Sequence, residues 1–495
     1  MNRPIQRVSI AVIVIIVLLL GNATYVQVFR ADALRNDPRN LRVLFDEYSR
    51  QRGMIVAADG TVLARSVPSG NRFKYQRQYP TNPNAFAPVT GFYSLRYGAD
   101  RGLEAAEGPF LSGSDDRLFT QRFADMFSGR DPRGGNVVTT IDPRLQTTAF
   151  DALRSGQCDG VCRGAVVALE PATGKILAMV STPSYDPNSL ATQDFAAAER
   201  SWNELTDEDM PSRMTNRAID ELYPPGSTFK VVTTATGLAA GLSPNTRLTA
   251  APTFPLPDSS ASLPNNNGEA CPGSTGGTVS LTQAFEYSCN TAFAQLVTEK
   301  LPGNPFDAFI GTAKKFGVGE NPPGIPMHVA SSTVGDLGDD KAALAQSSIG
   351  ERSVRVTALQ NAVIAATVAN GGIRMRPYLV DKLQTADLRT VSTTTPSSVN
   401  RPISAEEADS IAEMMVKSEQ QTYQSQSGIA SKTGTTDPNR SGSAYAWYIA
   451  FAPSSNSRIA VAVVVENGNQ GAESYGGVIA APIGRAVLNA YTGGN

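Results

Sequence analysis

Histidine is almost missing: His328 is the only one in 495 residues. Clustered-histidine metal sites are therefore excluded, and any triad that relays a proton through imidazole would have to use that one residue. There is no charge excess either. Lys plus Arg number 43 and Asp plus Glu 45, a net charge of -2. The positive field behind non-specific nucleic-acid binding is lacking, so nucleic acid is not expected as a partner. Charged residues make up 18% and hydrophobic residues 41%, which excludes a disordered, charge-rich chain, and no internal repeat or long charge run is present. What remains is a globular protein with room for about three domains. An enzyme built this way would move protons without histidine and without a metal cofactor.

Long hydrophobic runs are also scarce, and the one at the N-terminus stands out. No charged residue interrupts Val8 to Phe29, and a helix of that length spans about 33 Å, enough for a hydrocarbon core of roughly 30 Å. Arg3 and Arg7 precede the run, so the positive-inside bias keeps residues 1–7 cytoplasmic, makes residues 8–29 a single-pass anchor in the cell membrane, and puts the rest outside. A cleaved signal peptide is the competing reading, since Gly21-Asn22-Ala23 offers small residues to a peptidase. Both readings place the bulk of the chain in an extracytoplasmic space. The four cysteines, paired by proximity as Cys158 with Cys162 and Cys271 with Cys289, fit disulfides there; four buried free thiols are the alternative.

Beyond the anchor, residues 34–131 are mixed and irregular, with short strand-like runs at Gly53–Val56 and Thr61–Leu63, as in a small β-rich membrane-proximal module. The texture changes near Gly134-Gly135. Asn136–Ile141 reads as a strand, and Asp142 as the cap of a helix with Pro143 at its first position. Gly164–Glu170 and Lys175–Ser181 flank Pro171-Ala172-Thr173-Gly174, which predicts a hairpin. Tyr223-Pro224-Pro225-Gly226 announces a helix over Ser227–Ala240, and Val356–Ala369 predicts a buried helix. Ala251–Gly277 and Val391–Val399 are expected to be surface loops. Trp447–Ala452 with Ile459–Glu466 predicts a second hairpin, and Val478–Tyr491 a final helix. His328 is expected in a loop and Trp447 and Tyr448 in the core.

Three short motifs carry chemistry. Ser227-Thr228-Phe229-Lys230 sets a hydroxyl and an amine at i and i+3 on one helix face, pairing a nucleophile with a base. A serine hydroxyl needs something to take its proton, and a lysine desolvated beside a second cation can be that base. Ser288-Cys289-Asn290 places a hydroxyl and an amide where a loop could relay a proton and grip a carbonyl. Lys432-Thr433-Gly434-Thr435 offers a cation, hydroxyls and a glycine; on an edge strand it could hold an extended peptide and its terminal carboxylate. Each motif alone is also explained by a capped helix or an ordinary turn. Chance does not readily supply all three in this order in an exported chain.

In that order, S-x-x-K, S-x-N and K-T-G resemble the penicillin-binding proteins and serine β-lactamases. Gly164–Lys175, Asn216-Arg217-Ala218, Tyr223–Lys230 and Ala369–Gly372 look like transpeptidase-domain sequence, while Arg52-Gly53-Met54-Ile55, Gly102-Leu103-Glu104 and Thr140–Gln146 look like the non-catalytic pedestal of class B members. Ala57-Ala58 stand where many class B members have Asp-Arg. The chain is most similar to the short actinobacterial members. The resemblance implies a mixed α/β fold: a pedestal over residues 30–155, then a penicillin-binding transpeptidase domain over 156–495, an antiparallel sheet flanked by helices with a helical subdomain. It also implies a D,D-transpeptidase without glycosyltransferase activity that cross-links peptidoglycan stem peptides and is acylated by β-lactams. Ser227 would attack with Lys230 as base, and the backbone amides of Ser227 and Thr435 would form the oxyanion hole. Ser288 would pass a proton to the leaving D-Ala and Asn290 would hold the acyl amide. Lys432, Thr433 and Thr435 would bind the donor carboxylate, Gly434 completing the motif. Membrane proteins of the division or elongation machinery are the expected partners. A D,D-carboxypeptidase and a β-lactam-binding scaffold are the alternatives.

Overall fold

The computed structural model describes residues 2–30, 49–70, 73–128, 133–158, 160–207, 212–320, 325–436, 444–467 and 476–493. The irregular module expected at 34–131 therefore falls partly outside the described residues, at 34–48, 71–72 and 129–131. At the N-terminus an α-helix runs from Asn2 to Thr24 and continues as a π-helical turn, Tyr25–Phe29. Its apolar side chains, Leu18 and Leu20 among them, are exposed. Among the described helices it is the one long and apolar enough to cross a membrane.

The pedestal is organised around a six-stranded sheet in the order Thr390–Thr393, Val380–Gln384, Asn136–Thr139, Ile55–Val56, Val62–Pro68, Tyr75–Gln78. Among the described residues short helices accompany it, including Pro83–Thr90 and Phe119–Ser128. Two of its strands come from far along the chain. Val391–Val399, expected as a loop, instead contributes to the strands Thr390–Thr393 and Ser398–Asn400. Threonine and valine suit a pleated edge as well as a loop, and the partner that decides between them lies elsewhere in the sequence. Glu104 is fully buried and accepts from Arg52 Nε and Arg77 Nε, each at 2.6 Å, and from the Tyr79 hydroxyl at 3.1 Å. Arg52 Nη2 also donates to the Glu104 carbonyl at 2.6 Å, so two separate pedestal motifs meet in one desolvated ion cluster.

The second sheet has five antiparallel strands in the order Ala430–Thr435, Ala444–Ala452, Ile459–Asn467, Gly164–Leu169, Ile176–Thr182. Its registers run from Gly434 opposite Trp447 through Val463 opposite Val166. The three middle strands are buried apolar runs, as expected when helices cover a sheet. Both predicted hairpins form. Gly174 turns the first at φ +84°, and the second is longer than its sequence pattern suggested. The helix Pro143–Arg154 starts as expected, with Asp142 accepting from the Arg144 and Leu145 amides at 2.8 and 3.2 Å. It packs with the last helix, Gly476–Thr492, while Ala358–Ala369 packs against the strands Gly164–Leu169 and Ile459–Asn467. Ala251–Gly277 is not a bare loop: a small hairpin pairs Thr253–Pro255 with Ser262–Pro264. Trp447 and Tyr448 are fully buried in the core, and His328 is exposed and outside regular structure.

Candidate active site

The first motif does not open as the α-helix expected over Ser227–Ala240. Gly226–Phe229 is a 3-10 turn and the α-helix runs from Lys230 to Ala239. The reason is local geometry. Gly226 sits at φ +53°, outside the right-handed helical region, so the helix cannot extend back through it, and its amide donates to the Gly350 carbonyl at 3.1 Å. Trp447 Nε1 donates to the Pro224 carbonyl at 2.9 Å, fixing the proline pair to the sheet. The tight turn leaves Ser227 partly exposed while Lys230 is wholly buried.

The second motif arrives on a strained backbone. Ser288 has φ +57°, a left-handed conformation uncommon for a residue with a side chain. It is held from both sides. The preceding helix, Leu281–Glu286, starts with a Ser280–Gln283 capping box, and the next, Asn290–Gln295, begins immediately after Cys289. Cys289 is bonded to Cys271, and Cys158 to Cys162, so both cysteine pairs suggested by proximity are disulfides. Asn290 Nδ2 donates to the Pro264 carbonyl at 3.0 Å.

The third motif lies on the edge strand Ala430–Thr435. Neighbouring residues of a strand point to opposite faces. Ser431 reaches the buried Glu419, while Lys432 Nζ donates to Ser288 Oγ and to the Thr433 carbonyl, both at 3.0 Å. Gly434 has no room for a side chain: a Cβ there would come within 2.8 Å of the Pro225 carbonyl and 3.0 Å of the Thr228 methyl. The edge strand is thus pressed directly against the turn that carries Ser227.

Lys230 is the hub. Its Nζ donates to the Ser288 carbonyl at 2.7 Å, to Ser288 Oγ at 3.1 Å and to Asn290 Oδ1 at 2.7 Å. Burial pushes its ammonium well below the usual lysine range, and nearby Lys432 adds to this against a smaller opposing effect of Glu351. Lys432 is itself brought down by burial, to about 7. A cleft of about 400 Å³ opens over the motifs, lined by Ser227, Ser288, Lys432, Thr433 and Thr435. The Ser227 hydroxyl has no hydrogen bond among the described residues, and Thr435 Oγ1 accepts from the Gly476 amide at 3.0 Å. Among the described residues no group of His, Cys, Asp and Glu is placed to hold a metal ion.

Residues 164–489 match the model of the penicillin binding protein transpeptidase domain, and residues 52–137 that of the penicillin binding protein A dimerisation domain. The chain belongs to the penicillin-binding protein transpeptidase family. It is 56% identical to the peptidoglycan D,D-transpeptidase PbpA of Mycolicibacterium smegmatis and 54% identical to that of Mycobacterium tuberculosis, with 99% of each chain covered. Its structure resembles penicillin-binding protein A of M. tuberculosis in the acyl-enzyme complexes with ceftriaxone and penicillin G. The TM-scores are 0.85 and 0.84, at 52% identity, covering 90% of this chain and all of those chains. This penicillin-binding protein is a peptidoglycan D,D-transpeptidase with one N-terminal apolar helix long enough to cross a membrane.

Sequence reasoning missed several residues that line this cleft or brace its walls. Glu286, Gln421 and Tyr423 line the cleft, and no spacing signal ties them to the three motifs. Glu419, buried at the end of the helix Ala405–Gln420, accepts from Ser431, from the Tyr448 hydroxyl at 3.0 Å and from Arg485 Nε at 2.8 Å. It locks the edge strand to two helices. An isolated Glu, Ser, Tyr and Arg spread over residues 419–485 gave no hint of this cluster.

Proposed function

We propose that Ser227 is the nucleophile that forms the acyl-enzyme and that Lys230 is its general base. The observation that carries this reading is the meeting of the three motifs at Ser288, whose hydroxyl lies within hydrogen-bond reach of both Lys230 and Lys432, with Lys230 buried, lowered below the usual lysine range and also bonded to Asn290. Ser227 Oγ adds to the penultimate D-Ala carbonyl, its proton passing to Lys230. The backbone amides of Ser227 and Thr435 hold the oxyanion. The C–N bond then breaks, and Ser288, bridging the two lysines, delivers the proton to the departing D-Ala. Asn290 steadies the acyl amide, and Lys432, Thr433 and Thr435 hold the donor carboxylate, with Gly434 allowing the strand to approach. The acceptor ammonium of a second stem peptide gives one proton to solvent and attacks the ester as the free amine. Its second proton passes through Lys230 to Ser227 Oγ as the C–O bond breaks, giving the cross-link, whereas a β-lactam in the donor's place leaves no such exit.

In this reading residues 1–7 are cytoplasmic, 8–29 cross the cell membrane, 30–155 form the pedestal, joined by the strands Val380–Gln384 and Thr390–Thr393, and the rest of 156–495 forms the extracytoplasmic transpeptidase domain. Arg3 and Arg7 ahead of the apolar helix support the orientation. Membrane proteins of the division or elongation machinery are its proposed partners. The test is labelling of the full, detergent-solubilised chain with a fluorescent penicillin beside Ser227→Ala. A band that survives denaturation in the wild type and is lost in the variant is expected; labelling of a folded Ser227→Ala protein would overturn the assignment.

A further inference from the structure

The cleft is charged asymmetrically. Lys432 stands on the wall formed by the edge strand, where the donor carboxylate belongs, and Glu286 is the only acidic side chain among the described residues lining the same cleft. Glu286 is the last residue of the helix Leu281–Glu286, and Gln421 caps the C-terminal end of Ala405–Gln420. The last carbonyls of both helices already accept from the turns that follow them, such as Ala284 from the Cys289 amide and Glu419 from the Thr422 amide, so the negative charge at this rim is that of the Glu286 carboxylate, placed at a helix C-terminus where the backbone does not offset it. Gln421 Nε2 holds Glu286 Oε1 at 2.9 Å. The Glu286 charge also pushes the neighbouring Tyr287 hydroxyl up, helped by burial and by a hydrogen bond between them. Two such donors occupy about half of the acceptor positions of a carboxylate. The remainder face a partly solvated cleft two residues from Ser288.

We propose that Glu286 is a specificity-determining residue for the second half of the reaction, drawing an ammonium-bearing acceptor to the acyl-enzyme. The assignment rests on Ser227 as the acylated residue. The two substrates differ in the sign of the group that must be recognised: the donor ends in a carboxylate, and the acceptor brings an amine that is cationic in neutral solution. One cleft with a lysine on one wall and a carboxylate flanked by two helix C-termini on its rim sorts them by charge. Glu286 acts on the concentration and orientation of the acceptor and takes no part in bond making.

The experiment follows acyl transfer from a thioester donor by the full, solubilised protein, comparing wild type, Glu286→Gln and Glu286→Asp. Glycinamide serves as a cationic acceptor and hydroxylamine as an uncharged one. Penicillin acylation is followed in parallel. The expected result for Glu286→Gln is a fall of about two- to five-fold in the ratio of aminolysis to hydrolysis with glycinamide, the scale of one partly exposed charge pair. The ratio with hydroxylamine and the acylation rate stay at wild-type levels, and Glu286→Asp retains part of the glycinamide preference. An unchanged glycinamide ratio, an equal fall with both acceptors, or loss of acylation in Glu286→Gln would each overturn the proposal. Acylation that persists in Ser227→Ala would instead overturn the reading of the nucleophile.

Discussion

Ser288 Oγ accepts from two buried amines, Lys230 at 3.1 Å and Lys432 at 3.0 Å, yet the two lysines need opposite protonation states. In the proposed mechanism Lys230 must be neutral to take the proton of Ser227, and Lys432 must be charged to hold a carboxylate. Burial lowers both. Lys230 is lowered by desolvation and by the Lys432 charge, whereas Lys432 is brought to about 7 by desolvation alone. A charged Lys432 therefore favours a neutral Lys230 beside it, the pairing that a base and an anion anchor require. The pH profile of kcat/KM for a carboxylate-bearing donor is therefore expected to rise through the lowered Lys230 value and to fall above about 7 as free Lys432 deprotonates. A donor whose terminal carboxylate is replaced by an amide should lose the alkaline limb and keep the acidic one. An alkaline limb identical for both donors would remove Lys432 from carboxylate binding.

At the scale of elements, the site depends on a loop and a strand being held by features outside the motifs. The left-handed Ser288 is fastened through Cys289 to Cys271, in the segment whose Pro264 carbonyl also takes Asn290 Nδ2. Closing a loop of 18 residues removes chain entropy worth about 3 kcal/mol. Cys271→Ser is expected to lower the thermal midpoint and to slow penicillin acylation, because Ser288 and Asn290 lose their fixed approach to Lys230. A matched Cys158→Ser variant should lose stability with little change in acylation rate. Equal acylation in both variants would show that the Ser288 turn stands without its tether. The same logic applies to Glu419, whose buried contacts to Ser431 and Arg485 hold the strand from which Lys432 projects.

Across the whole molecule, the pedestal contributes architecture through the cluster of Glu104 with Arg52 and Arg77. Burial alone would raise the Glu104 carboxyl, but Arg77 and Arg52 outweigh it and hold the group below its ordinary value. A carboxyl lowered by folding stabilises the folded state above its unfolded value, and that contribution disappears as pH falls through the folded one. Glu104→Gln leaves two guanidinium groups buried with a neutral partner, and breaking such a cluster costs about 3–5 kcal/mol. Thermal unfolding should show the largest gap between wild type and Glu104→Gln near neutrality, closing as pH falls through the lowered carboxyl value. A gap independent of pH would mean that the cluster acts through packing alone.

Much of the chemistry was legible in the sequence because it lies in short contiguous motifs. The Ser227–Lys230, Ser288–Asn290 and Lys432–Thr435 segments were recognisable by order, and the helix start at Asp142-Pro143 and the turn at Gly174 follow from capping and backbone preferences that act within a few residues. The strand at Thr390–Thr393 was missed because its hairpin partner, Val380–Gln384, is held as a strand by Asn136–Thr139, far earlier in the chain. The 3-10 turn at Ser227 was missed because Gly350 imposes it. Glu286, Gln421, Glu419 and Arg485 carry no local signature at all. The sequence by itself determined which hydroxyls, amines and amide the three motifs offer as the proposed nucleophile, base and anchor, since these are covalent facts of the chain. Only the tertiary structure decided their protonation and aim, because desolvation, like-charge proximity and strand-to-turn contact exist only once distant segments are packed together.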